Sequence, residues 1–224
     1  MPSDHSRSPS IVVLISGSGS NLQAIIDGIE ANAIPATISA VISNKSNVKG
    51  LARATAHGIP SHVLDHTQHT DREHYDLALQ ALIDEYSPDL VILAGFMRIL
   101  TSSFVEHYAG KMLNIHPSLL PKFKGLHTHQ RAIEANEAEH GCSVHFVTPE
   151  LDGGPIIGQR KVTISEHETE DSLASKVQKE EHFLYPLCTR LFVEGRLSLT
   201  DTGPCLDGTP ITEGGLDLTD MDDL

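Results

Sequence analysis

A chain of 224 residues, 39% of them hydrophobic, can bury a substantial core without disulfide staples. Its formal net charge of −14 speaks against a nucleic-acid partner, and its apolar runs are far too short to cross a bilayer. The three cysteines, Cys142, Cys188 and Cys205, are widely spaced with no C-x-x-C, as reduced thiols in a cytoplasmic protein would be, and the polar first nine residues do not read as a secretory signal.

In chain order, residues 1–10 read as a flexible lead-in. Residues 11–15 are apolar without interruption, as in a strand covered on both faces. Gly17-Ser18-Gly19-Ser20-Asn21 follows, and residues 22–26 open a helix. A second strand covers 36–43, and a helix through Leu51 and Ala54 closes at Gly58 as its C-terminal cap. Residues 61–64 form a short third strand. Asp71 caps a helix that runs to residue 85, with Tyr75, Leu79, Leu82 and Ile83 on its apolar face. A fourth buried strand at 89–94 leads through 95–100 into a short helix near 101–108. This alternation predicts an α/β fold: one domain with a mainly parallel twisted sheet and helices on both faces.

Met112, Leu113 and Ile115 then read as the end of a buried strand interrupted by Asn114 and His116. At i and i+2 these two side chains share one face, and Pro117 ends the strand, so they stand at a carboxyl edge, where α/β sheets hold ligands. A loop at 117–125 precedes a helix at 128–139. Strands at 142–147 and 155–164 flank a glycine-rich turn at 148–154, and a long helix at 168–194 bends at Pro186. From residue 197 on there are seven acids and no Lys or Arg. The domain therefore spans 11–197, with 198–224 a loosely attached acidic tail.

An amide donor and an imidazole on one face suit acyl transfer, one steadying an oxyanion and the other moving a proton. Taken alone, the pair fits equally an Asn and a His satisfied by loop backbone. Asp152 opens Asp-Gly-Gly-Pro, a turn that can bring a carboxylate beside His116, or that simply uses Asp to close itself. The glycine loop at 17–21 lacks the third glycine of a dinucleotide motif and the Gly-Lys-Ser/Thr of a P-loop, so a monophosphate on the helix N-terminus fits it best. His127 and His129 invite a metal, but no H-E-x-x-H or Cys cluster supports one. Arg98, among Met97, Ile99 and Leu100, fits equally a polar group in an apolar lining suited to a flat aromatic ligand and a surface Arg covering the helix below it.

Four stretches together resemble the phosphoribosylglycinamide formyltransferase family of folate-dependent enzymes. They are Val13 to Gln23, Leu93 to Leu100, Leu113 to Pro121, and Val144 to Thr148 continuing into Leu151-Asp-Gly-Gly-Pro155. The resemblance covers roughly residues 10–197 and implies a Rossmann-like formyltransferase fold. It implies formyl transfer from 10-formyltetrahydrofolate, as co-substrate, to the amine of glycinamide ribonucleotide in purine synthesis. Asn114, His116 and Asp152 become the catalytic trio, with Asp152 favouring the charged form of His116. The phosphate is assigned to Gly19, Ser20 and Asn21 and a ribose hydroxyl to Glu181. Folate is assigned to Arg72, to Met97, Arg98, Ile99 and Leu100, and to Thr148, Pro149, Glu150 and Leu151. No metal, nucleic acid or membrane is implied, and a homodimer stays open. Ser18 and Lys124 depart from the family pattern, in the glycine loop and in the loop at 117–125.

Overall fold

A computed structural model of the chain describes residues 7–221. Most of the lead-in therefore lies outside the described residues. From Arg7 on the chain is engaged, the Arg7 guanidinium pairing with Asp89 at 3.0 Å. The described residues divide into two compact units between Met112 and Leu113.

The first unit is the alternating half. β1 (Ser10–Ile15), β2 (Thr37–Ser43), β3 (Ser61–Val63) and β4 (Leu90–Leu93) run in the order β4-β1-β2-β3, every pairing parallel. All six residues of β1 and all four of β4 are buried, which explains their unbroken apolar sequence. α1 (Ser20–Glu30), α2 (Lys49–Ala56), α3 (Arg72–Asp84) and α4 (Ser102–His107) supply the helices. The Asp71 carboxylate caps α3 as expected, accepting the His74 N–H at 2.9 Å, and Gly58 follows α2 at φ +66°. Because β1 and β4 are parallel neighbours, the glycine loop after β1 and the segment after β4 leave the sheet at the same edge.

The second unit is antiparallel at its centre. β5 (Met112–His116) pairs with β6 (Glu139–Phe146), and β6 with β7 (Ile156–Thr163). α5 (Thr128–Glu134) and α6 (Glu170–Val193) complete it. α6 continues through Pro186, and its buried Tyr185 donates its hydroxyl to the Leu113 carbonyl at 2.9 Å. α5 is shorter than the sequence pattern predicts. Asn136 takes a left-handed φ of +54° and turns the chain towards β6, which begins at Glu139.

The acidic tail corrects another expectation, for it is packed. β8 (Leu197–Thr200), β9 (Gly203–Leu206) and β10 (Thr209–Pro210) form an antiparallel sheet, and β11 (Leu216–Asp217) adds in parallel to β7. Leu197, Cys205 and Ile211 are buried. Arg160, stacked over Phe183 and paired with Glu180, donates to the Leu218 and Met221 carbonyls at 2.7 Å each. The β9–β10 connection is Asp207-Gly208, both at positive φ, which is the two-residue hairpin turn that Asp-Gly favours. A chain stopped after Thr202 loses β9, β10 and β11. It should therefore lose about 3 kcal/mol from buried Cys205 and Ile211 alone, a fall of roughly 6–12 °C in melting temperature for a chain of this size. An unchanged melt would show that these strands add no stability.

Candidate active site

Alternation along β5 puts Asn114 and His116 on one face, as the sequence predicts. The turn after β6 brings Asp152 to them. Asp152 has φ +47°, a left-handed conformation that Asp tolerates better than most residues. Its side chain and that of His116 are 8% and 7% exposed, with Asp152 Oδ2 3.4 Å from His116 Nδ1. The same oxygen accepts the Gly125 N–H at 2.9 Å, so one carboxylate holds both the imidazole and the loop at 117–125. On its far side, His116 Nε2 is 3.0 Å from the Phe123 carbonyl. Both ring nitrogens thus face oxygens, one of Asp152 and one of Phe123.

Sequence reasoning missed His145. The antiparallel register places it opposite Asn114, with its Nε2 3.1 Å from Asn114 Nδ2. Its Nδ1 is 2.8 Å from the Phe146 carbonyl, so Nδ1 carries the proton and Nε2 accepts from the Asn114 amide. Burial pushes His145 below the ordinary histidine pKa and keeps it a neutral acceptor. The Asn114 amide is thereby oriented, one N–H spent on His145 and the other left for a ligand. The signal lay in Val144-His145-Phe146, a histidine alternating with core residues, but the β5–β6 register that gives it a partner is not written locally.

Around these residues, Glu150 pairs with Lys124 at 2.7 Å, which ties the 148–152 turn to the loop at 117–125 a second time. Thr148 is half-buried, while Pro149, Glu150 and Leu151 are exposed. Glu181 lies half-buried on α6, and its charge raises the Cys142 thiol, after burial the next largest cause. A cavity of about 640 Å³ runs from Asp152 past Leu120 and Lys124 to Pro204, Ile211 and Glu213, so the packed tail walls the space beside the carboxylate. Of the His127/His129 pair, His129 Nδ1 meets His140 Nε2 at 3.2 Å.

In the first unit, the glycine loop ends at Gly19, φ +68°, the N-cap of α1. A Cβ there would stand 2.6 Å from the Gly50 Cα, so glycine is required both by backbone conformation and by close packing on α2. The cap residue of α1 makes no side-chain hydrogen bond. Ser20 is half-buried and Asn21 buried. Beyond β4, Met97 and Ile99 are exposed, Leu100 is half-buried, and Arg98 lies over the Tyr75 ring at 5.4 Å; Arg72 is exposed on the first turn of α3.

The sequence pattern of the family described as formyl transferase matches residues 10–189. The chain is 54% identical over 205 residues to the phosphoribosylglycinamide formyltransferase of Escherichia coli strain K12, covering 92% of this chain and 97% of that one. It is 45% identical over 193 residues to the human trifunctional purine biosynthetic protein adenosine-3, covering 86% of this chain and 19% of that protein. Among solved structures, a phosphoribosylglycinamide formyltransferase from Coxiella burnetii superposes with a TM-score of 0.90 at 46% identity, over 94% of this chain and 99% of that one. A glycinamide ribonucleotide transformylase from Symbiobacterium toebii gives 0.86 at 41%, over 89% and 94%.

The buried histidines make stability depend on pH. Burial lowers His129, His145 and, to about 4, His140 from the ordinary 6.5. Below 6.5 the unfolded chain therefore binds more protons than the folded one. The stability present above pH 6.5 should be lost progressively as pH falls towards 4. Melting temperature measured across that window should decline on acidification, and His140→Gln should flatten part of the slope. A flat profile for the parent chain would contradict neutral burial.

Proposed function

Since the chain belongs to the formyl transferase family, we propose that it transfers the formyl group of 10-formyltetrahydrofolate to the primary amine of glycinamide ribonucleotide in purine synthesis. The observation that carries the reading is the trio itself: an oriented amide and an imidazole on one face of β5, with a buried carboxylate behind the ring.

The amine lone pair attacks the formyl carbon, and the carbonyl π electrons move to oxygen to give a tetrahedral oxyanion. The free Asn114 N–H and the His116 Nε2–H donate to that oxygen, for which it must displace the Phe123 carbonyl from Nε2. Collapse breaks the bond to the folate nitrogen, which leaves with the proton lost by the amine, passed with the help of His116. Asp152 balances the imidazolium charge throughout. Holding both substrates in place supplies much of the remaining acceleration.

The ribonucleotide phosphate is assigned to Gly19, Ser20 and Asn21 at the N-terminus of α1, whose dipole favours an anion, and a ribose hydroxyl to Glu181. The folate is assigned to Arg72, to residues 97–100 and to Thr148 through Leu151. The exposed Met97, Ile99 and Leu151 supply apolar surface for a flat ring, and the two arginines supply charge for a carboxylate. The reaction calls for no metal. The three buried, unpaired thiols suit a reducing compartment, and the cytoplasm is the proposed location.

Purified protein mixed with both substrates should change the folate absorbance only when the amine is present. Asn114→Ala and His116→Ala should each lower kcat by about 10²- to 10³-fold. Loss of the formyl group without the amine would point to a hydrolase and overturn the reading.

A further inference from the structure

The segment that follows β4 is irregular from Ala94 to Thr101, yet its two ends are fixed by buried side chains from elsewhere in the first unit. The last ladder bond is Ala94 N–H to the Leu14 carbonyl. The Met97 N–H then donates to Ser16 Oγ at 2.8 Å, and the Thr101 N–H donates to Asp76 Oδ2 at 2.6 Å. Ser16 ends β1's run of buried residues and Asp76 lies on α3, 81 and 25 residues from their partners. Ser16 passes the bond on, its hydroxyl donating to Asn44 Oδ1 at 2.5 Å, and Asn44 in turn meets His66 Nδ1 at 3.3 Å.

These two side chains are unusual in their burial, at 6% and 3% exposure. A carboxylate that far from water is costly unless its oxygens are bonded. Asp76 Oδ1 has no hydrogen-bond partner among the described residues, so this carboxylate is held in the interior with half its acceptors idle. A site chosen for stability alone would favour an apolar side chain of that size. The pair instead fixes the main chain of residues 97–101, leaving Met97 and Ile99 turned out at 63% and 56% exposure rather than collapsed onto the core.

We propose that Ser16 and Asp76 are positioning residues for the folate, clamping the segment 97–101 at both ends so that it stands ready to receive a flat ring. The inference rests on the folate assignment made above. The hydroxyl of Ser16 lies one residue before the glycine loop, so the ribonucleotide serves as the internal control: a clamp on the 97–101 segment affects one substrate, and a general disturbance of the sheet edge affects both.

The test measures KM for each substrate, kcat, the melting temperature and, by calorimetry, the Kd of tetrahydrofolate, for the parent, Ser16→Ala, Ser16→Thr and Asp76→Ala. Losing one buried hydrogen bond corresponds to about a tenfold change in an equilibrium constant. Ser16→Ala and Asp76→Ala should raise the folate KM and the tetrahydrofolate Kd by about tenfold. The ribonucleotide KM and kcat at saturation should stay within about twofold. Ser16→Thr, which keeps the hydroxyl, should restore most of the folate affinity. Folate constants that stay at the parent value, or KM values that rise together for both substrates in molecules that remain folded, would overturn the positioning role. Should Asp76→Ala fail to fold, the Ser16 pair decides alone. A parent chain that does not bind tetrahydrofolate would overturn the folate assignment itself and this inference with it.

Discussion

The Asp152 carboxylate is the group on which the rest of the proposed catalytic arrangement depends. It is withdrawn from water, and a charge in that position is tolerated only where it is paired and hydrogen-bonded. Its partners are His116 on β5 and the Gly125 N–H in the loop at 117–125, with His145 Nε2 4.0 Å away on β6. Three separate pieces of the second unit therefore converge on one side chain. The backbone that delivers it is equally constrained. A Cβ on Gly154 would stand 1.8 Å from the Phe146 carbonyl, so the Gly-Gly of the turn lets the chain pass close against β6 on its way to β7. Moving that turn outwards would leave the carboxylate short of His116.

Seen from Asp152, the division of labour between the two histidines follows from burial and hydrogen bonding. His145 is held neutral by desolvation and spends its lone pair on Asn114. His116 has an oxygen beside each ring nitrogen, Asp152 Oδ2 at one and the Phe123 carbonyl at the other. The two imidazoles thus have different partners: His145 is an acceptor that aims an amide, and His116 is the proposed donor to developing negative charge. The Phe123 carbonyl on His116 Nε2 couples this chemistry to the loop, since an incoming oxygen must take its place.

What the sequence made legible was whatever is encoded locally. The apolar run of β1, the glycines after it, the Asp71 cap and the Asn114/His116 alternation are all patterns within a few residues, and each appears in the structure where the pattern placed it. Asp152, the third member of the proposed trio, also had a local signal in Asp-Gly-Gly-Pro, although only folding brings it to β5. His145 and the Ser16–Met97 bond depend on strand register and on partners 31 and 81 residues away, which no local pattern records. The tail failed differently. Its strands are two to four residues long and rich in Gly, Pro, Thr and Asp, so composition outweighed the Asp207-Gly208 hairpin signal and the buried Cys205 and Ile211.

We propose that the charge of Asp152, rather than its place in a turn, drives the reaction. Turnover of Asp152→Asn against pH, with melts of the same samples, separates the two. The substitution keeps the shape of the side chain and an acceptor for Gly125, and removes the charge beside His116. If the charge matters, kcat should fall at least about 10²-fold at neutral pH, with both KM values within a few-fold of the parent. A variant that melts lower yet turns over at nearly the parent rate would contradict it.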